Sequence, residues 1–304
     1  MPPQKLTILI ISFNSWRYLD SCLESILASG FPFFEIIVID NASVDGTPEK
    51  LRSKYPFIRL ILNPSNVGHT RAVNQGCRLA DGDRILLLDA DTELRADAIK
   101  QMSKLLDEDP GISMAAPRIL NSDGTIQESA RNFPSALNGI FGRQSVLTRL
   151  FPDNPFSSRY LAKYNYGKLT PHQVEHISAA CMMFRKSLIE TVGEWDEGYH
   201  SYWVDADWCK RLQKAGKTIY CVPGAVIIHH EQISRFLRKS PVRIIKFHTG
   251  AYRFYRLHYT MGRWDPRSLA AGILLSGRLL VLLAINVFKK SPGSHMDPLS
   301  QRKP

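Results

Sequence analysis

Cysteine is scarce in this 304-residue chain: Cys22, Cys77, Cys181, Cys209 and Cys221 form an odd set of five with no CxxC pair. That pattern argues against a disulfide framework and against a structural zinc site. No GxGxxG follows the first apolar run, which argues against a dinucleotide-binding Rossmann domain. No internal repeat is evident. Near the N-terminus no basic segment leads into an apolar stretch of signal-peptide length. Leu6 to Ile11 is apolar but short and runs into Ser12-Phe13-Asn14. It is expected to be a strand, and the working part of the chain is expected in a reducing cytoplasm.

Acidic residues are nearly missing from one part. Residues 235–290 hold twelve Lys and Arg against the single Asp265, a net of +11. The tail 291–304 adds +1, so of the formal +11 for the whole chain residues 1–234 carry −1. The body is neutral, and the basic excess belongs to an appendage suited to an anionic surface. A pI of about 9.5 raises nucleic-acid binding as one alternative. The neutral body and an apolar run at 269–288 weigh against it, so no nucleic-acid partner is expected.

The first half alternates short apolar runs with helical patterns. Strands are expected at Thr7–Ser12, Glu35–Asp40, Arg59–Leu62 and Arg84–Leu88. Helices are expected at Trp16–Ala28, Thr47–Lys54, His69–Ala80 and Arg95–Asp107, followed by an apolar run Ile112–Ala116. This βαβα rhythm implies an α/β fold, with a mostly parallel central sheet flanked by helices. Residues 121–175 are irregular and aromatic, as expected of a functional loop. A strand at Ile177–Phe184, a helix at Ala206–Ala215 and an apolar run at Ala225–His229 follow.

Asp89-Ala90-Asp91 closes the run Ile85-Leu86-Leu87-Leu88. Ligands of open α/β sheets bind outside the carboxyl ends of the strands. Two carboxylates there are costly to desolvate unless a cation meets them, and a divalent ion on a diphosphate is the natural partner. A solvated turn is the plain alternative. Asp40 ends the second strand, where a carboxylate can accept the N3–H of a pyrimidine; capping is the favoured reading of Asp45 and Thr47. Asn66 and Gly68 suit a turn into a helix N-terminus that can face a diphosphate, with simple turn chemistry at even odds. Asp205 and Asp207 enter the first turn of a helix, where Asp207 is read as favouring the dipole. A carboxylate there, aimed into the cleft, could serve as a general base. His229 and His230 end the last run; on a strand one faces each side, and an imidazole could complete the shell begun by Asp91.

Five stretches in order, SFNS at 12–15, VIDNASVDGT at 38–47, NVGHTRAVNQG at 66–76, LLLDADTEL at 86–94 and GEWDEGYHSYWVDADWCKRLQKAGK at 193–217, resemble the family 2 glycosyltransferases. The resemblance covers about residues 5–234 and is nearest to the rhamnosyltransferase-like branch that builds bacterial surface polysaccharide. It implies the GT-A, nucleotide-diphospho-sugar transferase fold and an inverting displacement. It implies that Ser12, Asn14, Asp40, Asn66, Gly68 and Asp89 meet the nucleotide sugar, a dTDP- or UDP-sugar. Asp40 would recognise the uracil or thymine, and Asp89 the ribose or nucleotide side. Asp91 and His229 would hold Mg2+ or Mn2+ on the diphosphate, with His230 the alternative ligand. Asp205 would be the catalytic base toward a glycan acceptor, polyprenyl-linked. Val204 departs from the usual Glu, Ala179 from a Gly, and Gln232-Ile233 from a Gly-rich pair. A non-catalytic nucleotide-sugar-binding scaffold is the other alternative, disfavoured by the retained acids.

Three regions are expected: the GT-A domain at 1–234, a membrane-associating helical region at 235–290, and a disordered polar tail at 291–304. Val242–Tyr259 mixes Arg243, Lys246, Arg253 and Arg256 with aromatic and aliphatic residues, as an amphipathic helix on an anionic bilayer does. Leu269–Phe288 is long enough to span a membrane. A central Arg278 costs roughly 2.5–3.5 kcal/mol on insertion scales, which favours an interfacial or re-entrant placement. The expected location is the cytoplasmic face of the inner membrane, peripheral or monotopic.

Overall fold

The computed structural model describes residues 5–32, 34–134, 151, 154–230, 240–262 and 264–288. The expected tail and the boundary at Ser234 lie outside these residues. Two compact units divide the chain, 1–231 and 232–304.

In the first unit the strands are β1 (Leu6–Ser12), β2 (Phe34–Asp40), β3 (Arg59–Leu62), β4 (Arg84–Asp89), β5 (Thr92–Leu94), β6 (Ile112–Asn121), β7 (His172–Gln173), β8 (Cys181–Arg185) and β9 (Thr218–His229). The helices are α1 (Trp16–Ala28), α2 (Thr47–Lys54), α3 (His69–Leu79), α4 (Ala98–Glu108), α5 (Pro155–Tyr160), α6 (Ser187–Val192) and α7 (Val204–Lys214). One sheet runs β3-β2-β1-β4-β8-β6-β9-β5, with β7 on β9. The β3-β2-β1-β4 half is parallel, as the βαβα rhythm predicts. The other half is mixed: β8 lies antiparallel between β4 and β6, while β9 runs parallel to β6.

Aliphatic runs cause the parallel half. β1 and β4 are buried on both faces, which requires near-continuous Ile and Leu rather than alternation. Leu19, Leu23 and Ile26 of α1 and Ile99, Met102 and Leu106 of α4 cover Ile8, Ile10, Leu86 and Leu88. Each such side chain contributes about 1.5–3 kcal/mol relative to exposure. Trp208 of α7 packs edge-on against Phe184 of β8, centroids 4.8 Å apart. Close contact with β1 explains Gly76 in α3: a Cβ there would fall 2.2 Å from Leu9 Cδ1.

Register then assembles one edge. Ser12 pairs with Asp40, and Ile11 with Asp89, so the carboxyl ends of β1, β2 and β4 lie side by side. β5 turns back after Asp91 and pairs with β9, setting Thr92 opposite His229.

The second unit contains α8 (Pro241–Tyr259) and α9 (Pro266–Val287). Asp265 caps α9 by accepting the Arg267 N–H at 2.9 Å. The Tyr252 hydroxyl meets Ser268 Oγ at 3.1 Å. α9 is inverted relative to a water-soluble helix. Its buried residues are Ser268 and Asn286, while Leu269, Ile273, Leu274, Leu280 and Val281 are exposed. Among the described residues it is the one helix long and apolar enough to cross a membrane, with a mean hydropathy of 2.1.

Candidate active site

Asp89, Asp91 and His229 offer ligand atoms that all lie within 4.8 Å of one another. The turn between β4 and β5 supplies the two acids, and the last residue of β9 supplies the imidazole. His229 Nε2 is 3.2 Å from Asp91 Oδ1 and 3.9 Å from Asp89 Oδ2. Burial pushes the Asp91 carboxyl up, but the bond and charge of His229 outweigh it and hold the group below the usual range. Asp89, expected on the nucleotide side, therefore shares the cluster with Asp91.

His229 Nδ1 donates to Gln127 Oε1 at 2.9 Å, and Gln127 Nε2 donates to Asn121 Oδ1 at 3.2 Å. An amide oxygen only accepts, so Nδ1 carries a proton and Nε2 faces the acids, donating to Asp91 while the imidazole is charged and free to offer its lone pair to a cation that displaces that proton. His230 faces elsewhere. Its Nε2 meets Glu93 Oε1 at 2.9 Å, its Nδ1 meets Ser122 Oγ at 3.0 Å, and its ring stacks on Tyr18. The cluster thus contains His229 and not His230. Two carboxylates and one oriented imidazole fit a divalent cation: hard oxygens suit Mg2+ and Mn2+, and the nitrogen suits Mn2+ better.

Of the other expected ligands, Ser12 and Asp40 are turned into the protein, while Asn14 and Asn66 are exposed with their side-chain oxygens engaged by nearby backbone. Ser12 is fully buried with its hydroxyl 2.8 Å from Ser15 Oγ. Asp40 is 1% exposed, and its two oxygens accept from Ser43 N–H at 2.8 Å and Ser43 Oγ at 2.6 Å. Asn14 Oδ1 accepts from Val44 N–H, and Ser43 Oγ accepts from Asn14 N–H, both at 2.8 Å. These bonds lock the β1–α1 turn to the β2–α2 turn, with Asn14 at φ 49° and Ala42 at φ 63°. Asp45 accepts from the Thr47 N–H and from the Trp16 N–H, but Gly46 is the N-cap of α2 and Thr47 lies inside the helix with its hydroxyl donating to Asp45, which corrects the capping reading of the two. Asn66 Oδ1 accepts the Gly68 N–H at 2.9 Å, and Gly68 takes φ 89°, which favours glycine.

The motif at 66–76 owes more to packing than its sequence discloses. Thr70 Oγ1 donates to Tyr199 O, and Asn74 makes a two-way bond with the Trp195 backbone. α3 is thereby clasped to residues 193–199, the start of the last motif.

Asp205 sits in the first turn of α7, its side chain 22% exposed. Oδ1 accepts the Ala206 N–H at 2.9 Å, and Oδ2 lies 3.4 Å from His176 Nε2. Burial raises its pKa, but His176, the Ala206 N–H and the charge of Arg131 outweigh that, so the carboxyl is held low and ionised. Asp207 is buried and accepts from Tyr199 Oη and Arg211 Nε, a structural role. Val204, where the resemblance leads one to expect Glu, is 1% exposed and holds α7 in the core.

One extended segment joins the two clusters. Gln127 holds His229; Ser129 O accepts the Ser178 N–H; Arg131 and His176 exchange both backbone bonds. Ala180 O then accepts the Asp89 N–H at 3.0 Å. Gln127 and His176 carry no periodic signal and were not singled out by sequence reasoning.

Two acids and an oriented imidazole at the carboxyl ends of a mixed sheet, linked through one extended segment to a third carboxylate on a covering helix, are the site of a chain with the GT-A fold of glycosyltransferases. In solved structures the fold is similar to GalNAc-T7 with UDP, GalNAc and Mn2+, at TM-score 0.59 and 15% identity, over 83% of this chain and 47% of that one. It is also similar to Staphylococcus aureus TarS 1–349 in complex with UDP, at TM-score 0.53 and 16% identity, over 90% and 70% of the two chains. The family model for glycosyl transferase family 2 matches residues 7–193. The N-acetylglucosaminyl-diphospho-decaprenol L-rhamnosyltransferase of Mycobacterium tuberculosis (strain CDC 1551 / Oshkosh) is 30% identical over 240 residues, 74% of this chain and 76% of that protein. The poly-beta-1,6-N-acetyl-D-glucosamine synthase of Staphylococcus aureus (strain COL) is 27% identical over 213 residues, 68% of this chain but 46% of the relative. The chain belongs to glycosyl transferase family 2.

Proposed function

We propose that this transferase moves a sugar, with inversion, from a pyrimidine nucleoside-diphosphate sugar to a hydroxyl of a polyprenyl-linked glycan during cell-surface polysaccharide synthesis. The observation that carries the reading is the cluster of Asp89, Asp91 and His229 with its imidazole aimed by Gln127. The rhamnosyltransferase relative, named for a lipid-linked N-acetylglucosaminyl diphosphate, supports rhamnose as the sugar and such a lipid as the acceptor. Complexes of fold relatives with UDP support a pyrimidine nucleotide, dTDP or UDP. Asp40 can meet the base only through the lone pairs that Ser43 leaves on each oxygen.

Asp89, Asp91 and His229 would hold Mg2+ or Mn2+, which when bound would supply positive charge to a departing diphosphate. Asp205 takes the proton of the acceptor hydroxyl as that oxygen attacks the anomeric carbon. Its depressed pKa keeps it ionised, and position supplies most of its effect. No covalent enzyme intermediate forms.

The region from 235 to 290 docks the enzyme on an anionic membrane, at the cytoplasmic face of the inner membrane. The inverted burial of α9 and the net charge of +11 support this reading. Arg278 in mid-helix favours interfacial placement over a span. A screen of nucleotide sugars, read as nucleoside diphosphate released with and without a lipid-linked acceptor, tests the proposal. Binding without turnover of any donor would reduce the chain to a nucleotide-sugar scaffold.

A further inference from the structure

His176 is 7% exposed and sits just before β8, on no regular element. Its Nε2 is fully buried and makes no hydrogen bond among the described residues. Yet that atom is 3.4 Å from Asp205 Oδ2. A buried imidazole nitrogen left without a partner is costly, so it is retained where a nearby group can take it up. The other oxygen of Asp205 is already held by the Ala206 N–H. The surroundings hold the residue in place beside Asp205. Its backbone is paired with Arg131 on both sides, and the Phe133 ring lies 6.4 Å away. Lys210 of α7 sits over that ring at 4.3 Å, and Glu175 accepts the Phe133 N–H at 2.6 Å. Among the described residues Asp205, Arg131, Glu128, Glu175 and Lys210 are the charged groups of this neighbourhood, and Asp205 is the one within ion-pair distance of the imidazole.

We propose that His176 is a positioning residue for Asp205: a small rotation lets Nε2–H donate to Oδ2, fixing the carboxylate between two donors with a lone pair turned to the acceptor. This rests on Asp205 being the base. The acceptor O–H bond breaks as its oxygen bonds the anomeric carbon, and the carbon–oxygen bond to the diphosphate breaks with its electron pair. The proton goes to Asp205; His176 exchanges none. Without the donor, a carboxylate this enclosed would bind a proton more readily and rotate more freely.

The test uses full-length protein labelled with 13C at the aspartate carboxyl carbons. The Asp205 signal is identified by its loss in Asp205→Asn. His176→Leu fills the space without a donor, and its Asp205 midpoint should rise by roughly one unit or more. His176→Gln, with an amide N–H in reach, should bring the midpoint most of the way back. Equal midpoints in wild type and His176→Leu, or a Gln variant no different from Leu, would overturn the proposal. With dTDP-rhamnose and an N-acetylglucosaminyl-diphospho-lipid, His176→Leu should lose kcat by about tenfold or more at an unchanged donor KM. Asp205→Asn in that assay tests the base reading separately: turnover within about threefold of wild type would end it, while the titration still decides whether His176 governs Asp205.

Discussion

Replacing Gln127 with Ala should weaken divalent-ion binding without touching any ligand. Gln127 is 6% exposed, accepts the His229 Nδ1–H at 2.9 Å and is itself held by Asn121 at 3.2 Å. Removal leaves Nδ1–H buried without an acceptor, which costs about 1–3 kcal/mol. It also frees the ring to turn and to move its proton to Nε2, the atom facing Asp91. Loss of such outer partners typically weakens metal binding about 10–100-fold, or about 1.4–2.8 kcal/mol at 1.4 kcal/mol per tenfold. The assay is a Mn2+ titration of full-length protein with saturating UDP, following unbound ion by electron paramagnetic resonance. Gln127→Ala should raise the Mn2+ Kd by about 10–100-fold. Gln127→Glu should hold or tighten it, because a carboxylate partner raises imidazole basicity. A Gln127→Ala Kd within about twofold of wild type, while Asp91→Asn abolishes binding, would refute the orienting role.

Excess chelator should abolish nucleoside diphosphate release, and Asp91→Asn should do the same at an unchanged Tm; full turnover in chelator would sink the metal assignment. Asn74→Ala strips two buried Trp195 backbone groups of their partner, about 2–6 kcal/mol in all, so Tm should fall by roughly 4–24 °C by calorimetry. For Asp45, burial raises the carboxyl pKa, but bonds from Thr47 and the Trp16 N–H win and leave it depressed. Its contribution to stability is therefore full above its unfolded pKa and lost as pH falls through the folded value. Asp45→Asn should accordingly flatten the acid limb of the urea midpoint, and an identical limb would contradict this. The whole chain should sediment with anionic vesicles, with salt stripping it only in part and detergent fully, because screening weakens the charges but not the apolar burial of α9. Failure to sediment at low salt would reject membrane docking.

Local pattern was enough for several elements. α1 at Trp16–Ala28, α2 at Thr47–Lys54 and β3 at Arg59–Leu62 match their expected bounds, because apolar periodicity and turn residues are written within a few residues. The acids at the end of β4 were legible for the same reason: an aliphatic run that stops at Asp marks a strand end. Longer-range features were not. Ile177–Ala180 was expected to extend β8, but Ser178 pairs with Ser129 and Ala180 with Asp89, so the chain crosses over before the strand begins. β9 starts at Thr218 rather than Ala225, because its register on β6 jumps at Val222–Val226 and Pro223-Gly224 conceal the continuity. Side-chain direction was decided by tertiary contacts alone. Asp40, Asn14 and Asn66 are as polar in sequence as Asp89, yet neighbouring turns capture them, whereas β9 draws Asp89 to His229. Gln127 and His176 became visible only once the irregular segment was folded. The sequence by itself determined the parallel half of the sheet and the residue types of the site, since burial and turn chemistry act locally. Which acids converge, and which neutral groups aim them, depended on strand order, because those residues are distant along the chain and meet only through the sheet.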